Sequence, residues 1–491
     1  MPDFSDDPTM RGFFAPQRFE ADIYDCEVLG KIPSDLNGAF VRLGGDWYFP
    51  PKFADDAMLN SDGYVSMFGF RDGVVDYKGR WVKTPRFEAD RAAHRQLYGY
   101  YRNGFTDDPS VHAQDRPYLR TVANTTPVAF AGKLFALKED AHPYELDPNT
   151  LETRGAWDFG GKYKAQTFTA HPKIDPVSGE MVAFGYEATG PATDDVFIYI
   201  MDKAGQITRE IRIKVPYVSL MHDMALTQKH IVLPFCGYVT SLERLKAGKV
   251  HWGWDGTKPS YIGVIPRDGE AKDLRWFKGP ERCMMHTFNA RTEGEKVILE
   301  APFYDSNFFP FFPPVDGSPW DPKKAVAYVR RYTLDLNSSS DAWTEETLFP
   351  TPVVDLGRVD PRYLTQAARY GYTGYSDPSR PFDESRAGNL RTRVTNSYGR
   401  FDFATGQMKS YFAGPSHSLQ ECCFVPRGRT GAEGDGYLIG VASNYAEMRS
   451  ELIIADAQNL EAGDIARVIL PFRSTAQVHG TWIDQHELPF A

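Results

Sequence analysis

His171, His222 and His286 each stand in a short apolar segment that runs into a polar turn and then a second apolar strand. The three stretches read FTAHPKIDPVSGEMVA, SLMHDMALTQKHIVLPF and CMMHTFNARTEGEKVILEA. In the second the turn falls at Gln228 and Lys229, in the third at Thr292 to Gly294. The pattern places each histidine in the strand just before a hairpin turn. His479, in AQVHGTWID near the C-terminal end, sits in a similar short strand. If each hairpin is the inner edge of one sheet in a ring, equal phase means equal height and equal radius. Four imidazoles then converge near the axis of the ring. The other seven histidines (His94, His112, His142, His230, His251, His417 and His486) fall in loops, in a helical insert or at strand ends. Any one of the four, taken singly, could be an ordinary structural histidine; the shared phase is what favours convergence.

Imidazole ligands suit Zn, Cu, Fe and Ni. Four neutral ligands leave the full charge on a divalent ion. On an octahedral ion they also leave two open positions, where Fe(II) can bind and activate dioxygen. A closed tetrahedral zinc site is the structural alternative. A ligating histidine needs an acceptor for its other ring N–H, which fixes tautomer and orientation. Glu421, in LQECCFVPRGRTGAEGDGYLIG, occupies about the same phase before a turn as the histidines, and Glu139 ends the apolar strand LFALKE. Both are candidates for that acceptor; the alternative for each is a surface charge at a strand end.

The elements that must carry these residues are short strands. From Asp22 onward Thr, Val, Tyr and Phe alternate with polar residues over four to eight positions, separated by turn clusters. Asp62–Gly63 and Asp72–Gly73 bracket YVSMFGFR as hairpin signals. Units such as VAFAGKLFALKE, FIYIMDKAGQITREIRIKV and SYGRFDFATGQMKSYF share the form strand, polar turn, strand. Their recurrence without intervening helices predicts an all-β fold of radially repeated four-stranded sheets. Divided by seven, 491 residues give about 70 per unit, which suits a seven-bladed β-propeller with inserts. Two inserts interrupt the strands, at about 86–110 and 354–389. FEADRAAHRQLYGYY in the first and DPRYLTQAARYGY in the second have helical character and are expected to cap one face. The whole chain, 1–491, is read as a single domain.

Composition bounds the function. The chain is 42% apolar and 14% aromatic, ample for a large core, and its net charge of −10 argues against nucleic acid. No apolar run approaches the roughly 20 residues of a membrane helix, and MPDFSDDPTM lacks the features of a signal peptide. Five scattered cysteines are too few for a disulfide framework, which points to a reduced, cytoplasmic protein. Cys283, three residues from His286, is read as a buried spectator thiol.

These residues resemble the carotenoid cleavage oxygenase family over nearly the whole chain. The marks are HPKIDPVSGE at His171, MHD at His222, MHTFNA at His286, ECCFVPR at Glu421 and HGTW at His479. RWVKTPRFE, YYRNGFTDDPSV, TVANTT, LKEDAHPYELDPNTLETRG and SLERLKAG resemble its bacterial phenylpropanoid branch, the lignostilbene dioxygenases and isoeugenol monooxygenase. The resemblance implies a seven-bladed propeller with a dome of loops and helices over one face. It implies non-haem Fe(II) on His171, His222, His286 and His479. Supporting carboxylates would fall on Glu139, Glu421 and Asp355, the last with a shorter side chain than the family's usual Glu. Tyr101 and Lys138 match the residues that hold the 4-hydroxyl group of a stilbene. An ammonium and a hydroxyl stabilise a phenolate, whose charge spreads through a para vinyl group and enriches the alkene carbon. Leu59 would stand where some relatives place an aromatic pocket wall. The expected substrate is a phenolic stilbene, with a propenylphenol such as isoeugenol or an apocarotenoid as alternatives, and dioxygen is the co-substrate. A propeller scaffold presenting a binding face is the non-enzyme alternative. The apolar segment NFFPFFPP is read as pocket wall or core packing in preference to membrane contact, since no basic cluster flanks it. A homodimer is left open.

Overall fold

The computed structural model describes residues 10–111, 117–383 and 395–488, together with Phe4, Asp6 and Ser385. His112, parts of the N-terminal ten residues, and residues 384 and 386–389 of the second expected insert lie outside them. Among the described residues, strands form seven sheets of four or five strands and one two-stranded ribbon. Every named pairing of strands in these sheets is antiparallel, and most sheets are simple meanders of consecutive strands. This is the seven-bladed β-propeller expected from the repeat.

Within a blade the burial pattern changes from strand to strand in the way radial stacking demands. Met181–Tyr186 and Asp195–Met201, in the middle of one blade, are buried almost throughout. Ile207–Lys214, the last strand of that blade, alternates exposed and covered residues. A middle strand has a neighbouring blade on each face, so both sets of side chains must be apolar. The outermost strand faces water on one side and keeps the period-two pattern.

The ring is closed twice. The C-terminal strand His479–Asp484 pairs with Gly38–Asp46, in register from Leu43↔His479 to Gly38↔Asp484. Near the other end of the chain, the strand Glu27–Gly30 in turn adds to Asp464–Ile469, the outer strand of the preceding blade. Each terminus therefore completes a blade begun by the other end of the chain, which locks the ring by backbone hydrogen bonds.

The cap differs from expectation in two respects. The first insert does hold a helix, but only over Pro85–Ala93; Thr84 caps its start and His94, in the left-handed conformation, ends it. Beyond it the buried Asp90 carboxylate accepts from the Leu97 N–H, turning LYGYY back over the helix as an irregular segment. The second stretch, 354–389, is not a cap insert over its described length. It supplies Arg358–Val359 and Tyr370–Tyr375, the first two strands of a blade, with only a single 3-10 turn at Pro361–Tyr363 between them. Tyr370–Tyr375 is buried over five of its six residues, which strand pairing achieves and a surface helix would not. The remaining cap elements come from a part of the chain that carried no helix signal strong enough to single out. They are the ribbon Tyr238–Val239 with Gly253–Trp254, and the helix Leu242–Lys246. No helix among the described residues is long and apolar enough to cross a membrane.

Candidate metal centre

The four phased histidines meet. Nε2 of His222 lies 3.1 Å from that of His171 and 3.0 Å from that of His286. Nε2 of His286 lies 3.2 Å from that of His479, and all four ligand atoms fall within 4.8 Å of one another. Three of the histidines are not inside the strands, as the sequence pattern suggested. His171, His222 and His286 stand two or three residues ahead of the short first strands Lys173–Ile174, Ala225–Leu226 and Asn289–Glu293, and His479 begins its strand. The first strand of each blade is therefore the one nearest the axis. The residues leading into it come from the direction of the axis, so their side chains crowd together at one end of the channel.

The donor set fits a cation. Nδ1 of His222 lies 3.3 Å from Glu139, Nδ1 of His286 3.1 Å from Asp355, and Nδ1 of His479 2.9 Å from Glu421. A carboxylate at Nδ1 accepts a hydrogen bond from the Nδ1–H, so the neutral ring turns its Nε2 lone pair inward. Several lone pairs facing one another at hydrogen-bond distance, with no proton between them, repel unless a positive ion sits among them. Imidazole nitrogens about 2.1 Å from an ion stand about 3.0 Å apart at neighbouring octahedral corners and about 3.4 Å apart at tetrahedral ones. The three close edges fall within the range a bound ion would need, and on an octahedral ion four imidazoles would leave positions for further ligands.

The surroundings favour neutral rings at His171 and His479 and ionised carboxylates at Glu139 and Glu421. Burial and the three neighbouring imidazoles hold His171 well below the ordinary histidine range. Burial likewise lowers His479 to about 4, although Glu421 opposes it. For His286, burial acts downward most strongly of any one cause, but Asp355, with Asp223 and Glu421 behind it, raises the ring. Burial would raise the Glu139 carboxyl, yet His222, Lys138 and Arg102 bring it to about 2. Glu421 is also depressed against its own burial, because Arg358 and His479 face it.

Asp355 reaches His286 despite its shorter side chain. It stands three residues ahead of Arg358–Val359, in the same phase as the histidines, so its backbone is already close to the axis. Its other oxygen accepts from the Tyr304 hydroxyl at 3.3 Å. Arg358 clamps Glu421 with two bonds of 3.0 and 2.9 Å. Neither Tyr304 nor Arg358 was singled out in the sequence; the arginine's place three residues after Asp355 was the available signal. His171 differs from the other three. Among the described residues no carboxylate meets its Nδ1, and its segment is held instead by the Thr169 hydroxyl, which accepts from the His171 backbone N–H at 2.9 Å.

Lys138, Tyr101 and Leu59 share one buried corner beside this centre. Lys138 Nζ donates to the Leu59 carbonyl at 2.9 Å and lies 4.8 Å above the Tyr101 ring. The Tyr101 hydroxyl is 3.4 Å from the same Glu139 oxygen that faces His222, while the second Glu139 oxygen is buried without a protein partner. Burial, then the charge of Glu139, pushes the Tyr101 hydroxyl well above its usual range, so it remains a proton donor. Burial lowers the Lys138 ammonium, with Glu139 and Asp140 opposing. The apolar segment around Asn307–Pro314 packs on this corner. The Phe312 ring is stacked 6.3 Å from Tyr101, and the Phe308 ring lies 4.3 Å from Tyr304. All five cysteines are free, Cys283 buried among them.

The family model described as "RPE65: Retinal pigment epithelial membrane protein" matches residues 14–484. The chain is 42% identical over 494 residues to lignostilbene-alpha,beta-dioxygenase isozyme III of Sphingomonas paucimobilis, covering 100% of both chains. It is also 42% identical over 480 residues to isoeugenol monooxygenase of Pseudomonas putida, covering 97% of this chain and 98% of that one. The crystal structure of Pseudomonas brassicacearum lignostilbene dioxygenase superposes with a TM-score of 0.94 at 37% identity, covering 99% of this chain and 100% of the other. Full-length matches of this kind, on a seven-bladed ring whose axis carries four converging histidines, make the chain a member of the RPE65/carotenoid cleavage oxygenase family.

Proposed function

We propose that this member of a family of oxygenases that cleave carbon–carbon double bonds is an Fe(II) dioxygenase that splits the central double bond of a 4-hydroxystilbene. The alkene and one dioxygen give two aromatic aldehydes, each former alkene carbon taking one oxygen atom. One observation carries the substrate class: a buried ammonium and a buried phenolic hydroxyl, Lys138 and Tyr101, share a corner with Glu139, whose carboxylate also faces the metal-site histidine His222. His171, His222, His286 and His479 would hold the iron. Bound there with open positions, it would supply activation of dioxygen.

The protein's own groups then act on the phenol. Lys138 and Tyr101 donate to the substrate's 4-oxygen and favour its phenolate form. In a buried corner such charge–dipole contacts count for more than in water. The phenolate pushes electron density through the para vinyl group toward the carbon to be oxidised. Leu59 and the aromatic segment at Phe308–Phe312 exclude water around the rings. Lys138→Met should lower kcat/KM for a 4-hydroxystilbene by about a hundredfold, the scale of losing one preorganised donor, with iron content unchanged. Wild-type kcat/KM in that variant would remove Lys138 from the mechanism.

A second reading has a specific observation behind it: the isoeugenol monooxygenase relative is as similar as the lignostilbene enzyme. The same clamp would hold a propenylphenol, and the two readings differ only beyond the alkene. Incubating iron-loaded protein with phenolic stilbenes, isoeugenol and an apocarotenal under air, and identifying aldehydes by mass, separates them. We further read the protein as one propeller domain of the cytoplasm, a compartment that its five free cysteines, none paired in a disulfide, suit, with a homodimer as the assembly to test by sedimentation.

A further inference from the structure

Three of the four histidines have a carboxylate at Nδ1, and a further buried carboxylate bonds to the segments that carry them. Asp223 follows His222 directly. It is 1% exposed, and its two oxygens reach into the two neighbouring blades. Oδ1 pairs with Lys173 Nζ at 2.7 Å, and Lys173 is two residues after His171. Oδ2 accepts from the Thr287 N–H and the Thr287 hydroxyl, both at 2.9 Å, and Thr287 directly follows His286. One side chain thus ties together the segments bearing His171, His222 and His286, which come from three different blades. Each segment stands ahead of a short first strand, and two of those strands have only two residues. Ladder hydrogen bonds alone therefore fix the ligand-bearing backbone poorly.

We propose that Asp223, with Lys173 and Thr287 as its partners, is a positioning residue for the metal centre that sets the spacing of three ligand segments. The inference rests on the reading of the four histidines as metal ligands. Its weight falls most on His171, the ring without a carboxylate of its own, whose segment is anchored through Lys173. A buried carboxylate that accepts three hydrogen bonds, the third from the Met224 N–H at 2.7 Å, and pairs with an ammonium holds its partners in one arrangement. Its loss lets each blade present its histidine independently. Supporting residues around ligands typically change metal affinity by about 10- to 100-fold.

The test uses full-length apoprotein of the wild type and of Asp223→Asn, Lys173→Met, Thr287→Val and Thr287→Ser. Folding is followed by circular dichroism and thermal unfolding. Affinity for Co(II) comes from competition with a chromophoric chelator, and ligand geometry from the visible bands of the bound ion. Asp223→Asn should weaken Co(II) binding by about 10- to 100-fold and alter the bands. Lys173→Met and Thr287→Val should weaken it less, and Thr287→Ser, which keeps the hydroxyl, should restore the wild-type value. If Asp223→Asn does not fold, the contrast between the Val and Ser variants decides the matter. A folded Asp223→Asn or Thr287→Val protein with wild-type affinity and bands would overturn the brace. Failure of the wild type itself to bind one Co(II) per chain would instead overturn the metal reading beneath it.

Discussion

Glu139, Asp355 and Glu421 each face a ring nitrogen of a different histidine, yet their other partners differ, and so do the expected consequences of removing them. Asp355 is shared with Tyr304, whereas Glu421 is fixed by Arg358 and by the Gly480 N–H at 2.8 Å. Asp355→Ala is expected to lower metal affinity by about 10- to 100-fold while leaving the fold intact, measured by chelator competition on purified protein. Glu139 serves two neighbours at once, His222 and Tyr101. Tyr101→Phe removes the hydroxyl and keeps the ring against Phe312. It should reduce kcat/KM for a phenolic substrate by about tenfold, the scale of one lost hydrogen bond, with metal stoichiometry unchanged. A loss of metal in that variant would show that Tyr101 acts on the centre through Glu139 and not on the phenol. Glu139 was legible in the sequence because it ends an apolar strand, and Glu421 because it shares the histidines' phase before a turn. Asp355 was legible only through family resemblance, because an aspartate in VVDLGRVD has no local mark of its own.

Among the elements, the cap is joined to the ring by a buried cluster. Arg102, with a φ of 57° rare for a non-glycine residue, pairs with Glu187 and donates to the Glu139 carbonyl at 3.0 Å and the Tyr186 hydroxyl at 2.9 Å. His251, from the segment after the cap helix Leu242–Lys246, lies 3.0 and 3.1 Å from the two Glu187 oxygens. The cluster holds the residue after Tyr101 and the residue after Lys138 in one frame. Burial alone would raise the Glu187 carboxyl; His251 and Arg102 instead hold it at about 2, below its ordinary 4.5. A carboxyl depressed on folding stabilises the protein above its unfolded value and loses that contribution as pH falls through the folded one. Stability should therefore drop between about pH 4.5 and pH 2, by an amount of the order of 3 kcal/mol from this group. Glu187→Gln should flatten that part of the profile of Tm against pH while lowering Tm at neutral pH. The sequence marked this region only as a helix leaving into a polar loop. Its burial depends on pairing with residues about 85 and 150 positions away, which no local pattern encodes.

At the scale of the molecule, stability and site integrity are coupled through ring closure. His479 begins the C-terminal strand that completes the blade opened by Gly38–Asp46, so the same strand supplies a ligand and the clasp. Ile483, 1% exposed on that strand, packs with Ala39, Val41 and Val65 in an apolar cluster. Ile483→Ala should cost about 3 kcal/mol by leaving a cavity, and chemical denaturation should show it as a lower midpoint. Because the strand loosens with its packing, the apoprotein should also hold metal less tightly; unchanged affinity with the lower midpoint would separate clasp from site.

The chain's local order determined the alternating strands, the turns between them, the recurrence of strand–turn–strand units and the shared phase of three histidines, with His479 in a similar short strand. Those features are periodic and short-range, so they are written in neighbouring residues. Tertiary structure alone decided that His171, His222 and His286 precede their strands, and that 354–389 builds a blade where a cap was expected. It also decided that Asp355 is near enough to His286, and that Asp223 spans three blades. Each of these depends on the distance between segments that meet only when the ring closes. That distance is set by blade packing and by the axis, and no stretch of sequence carries it by itself.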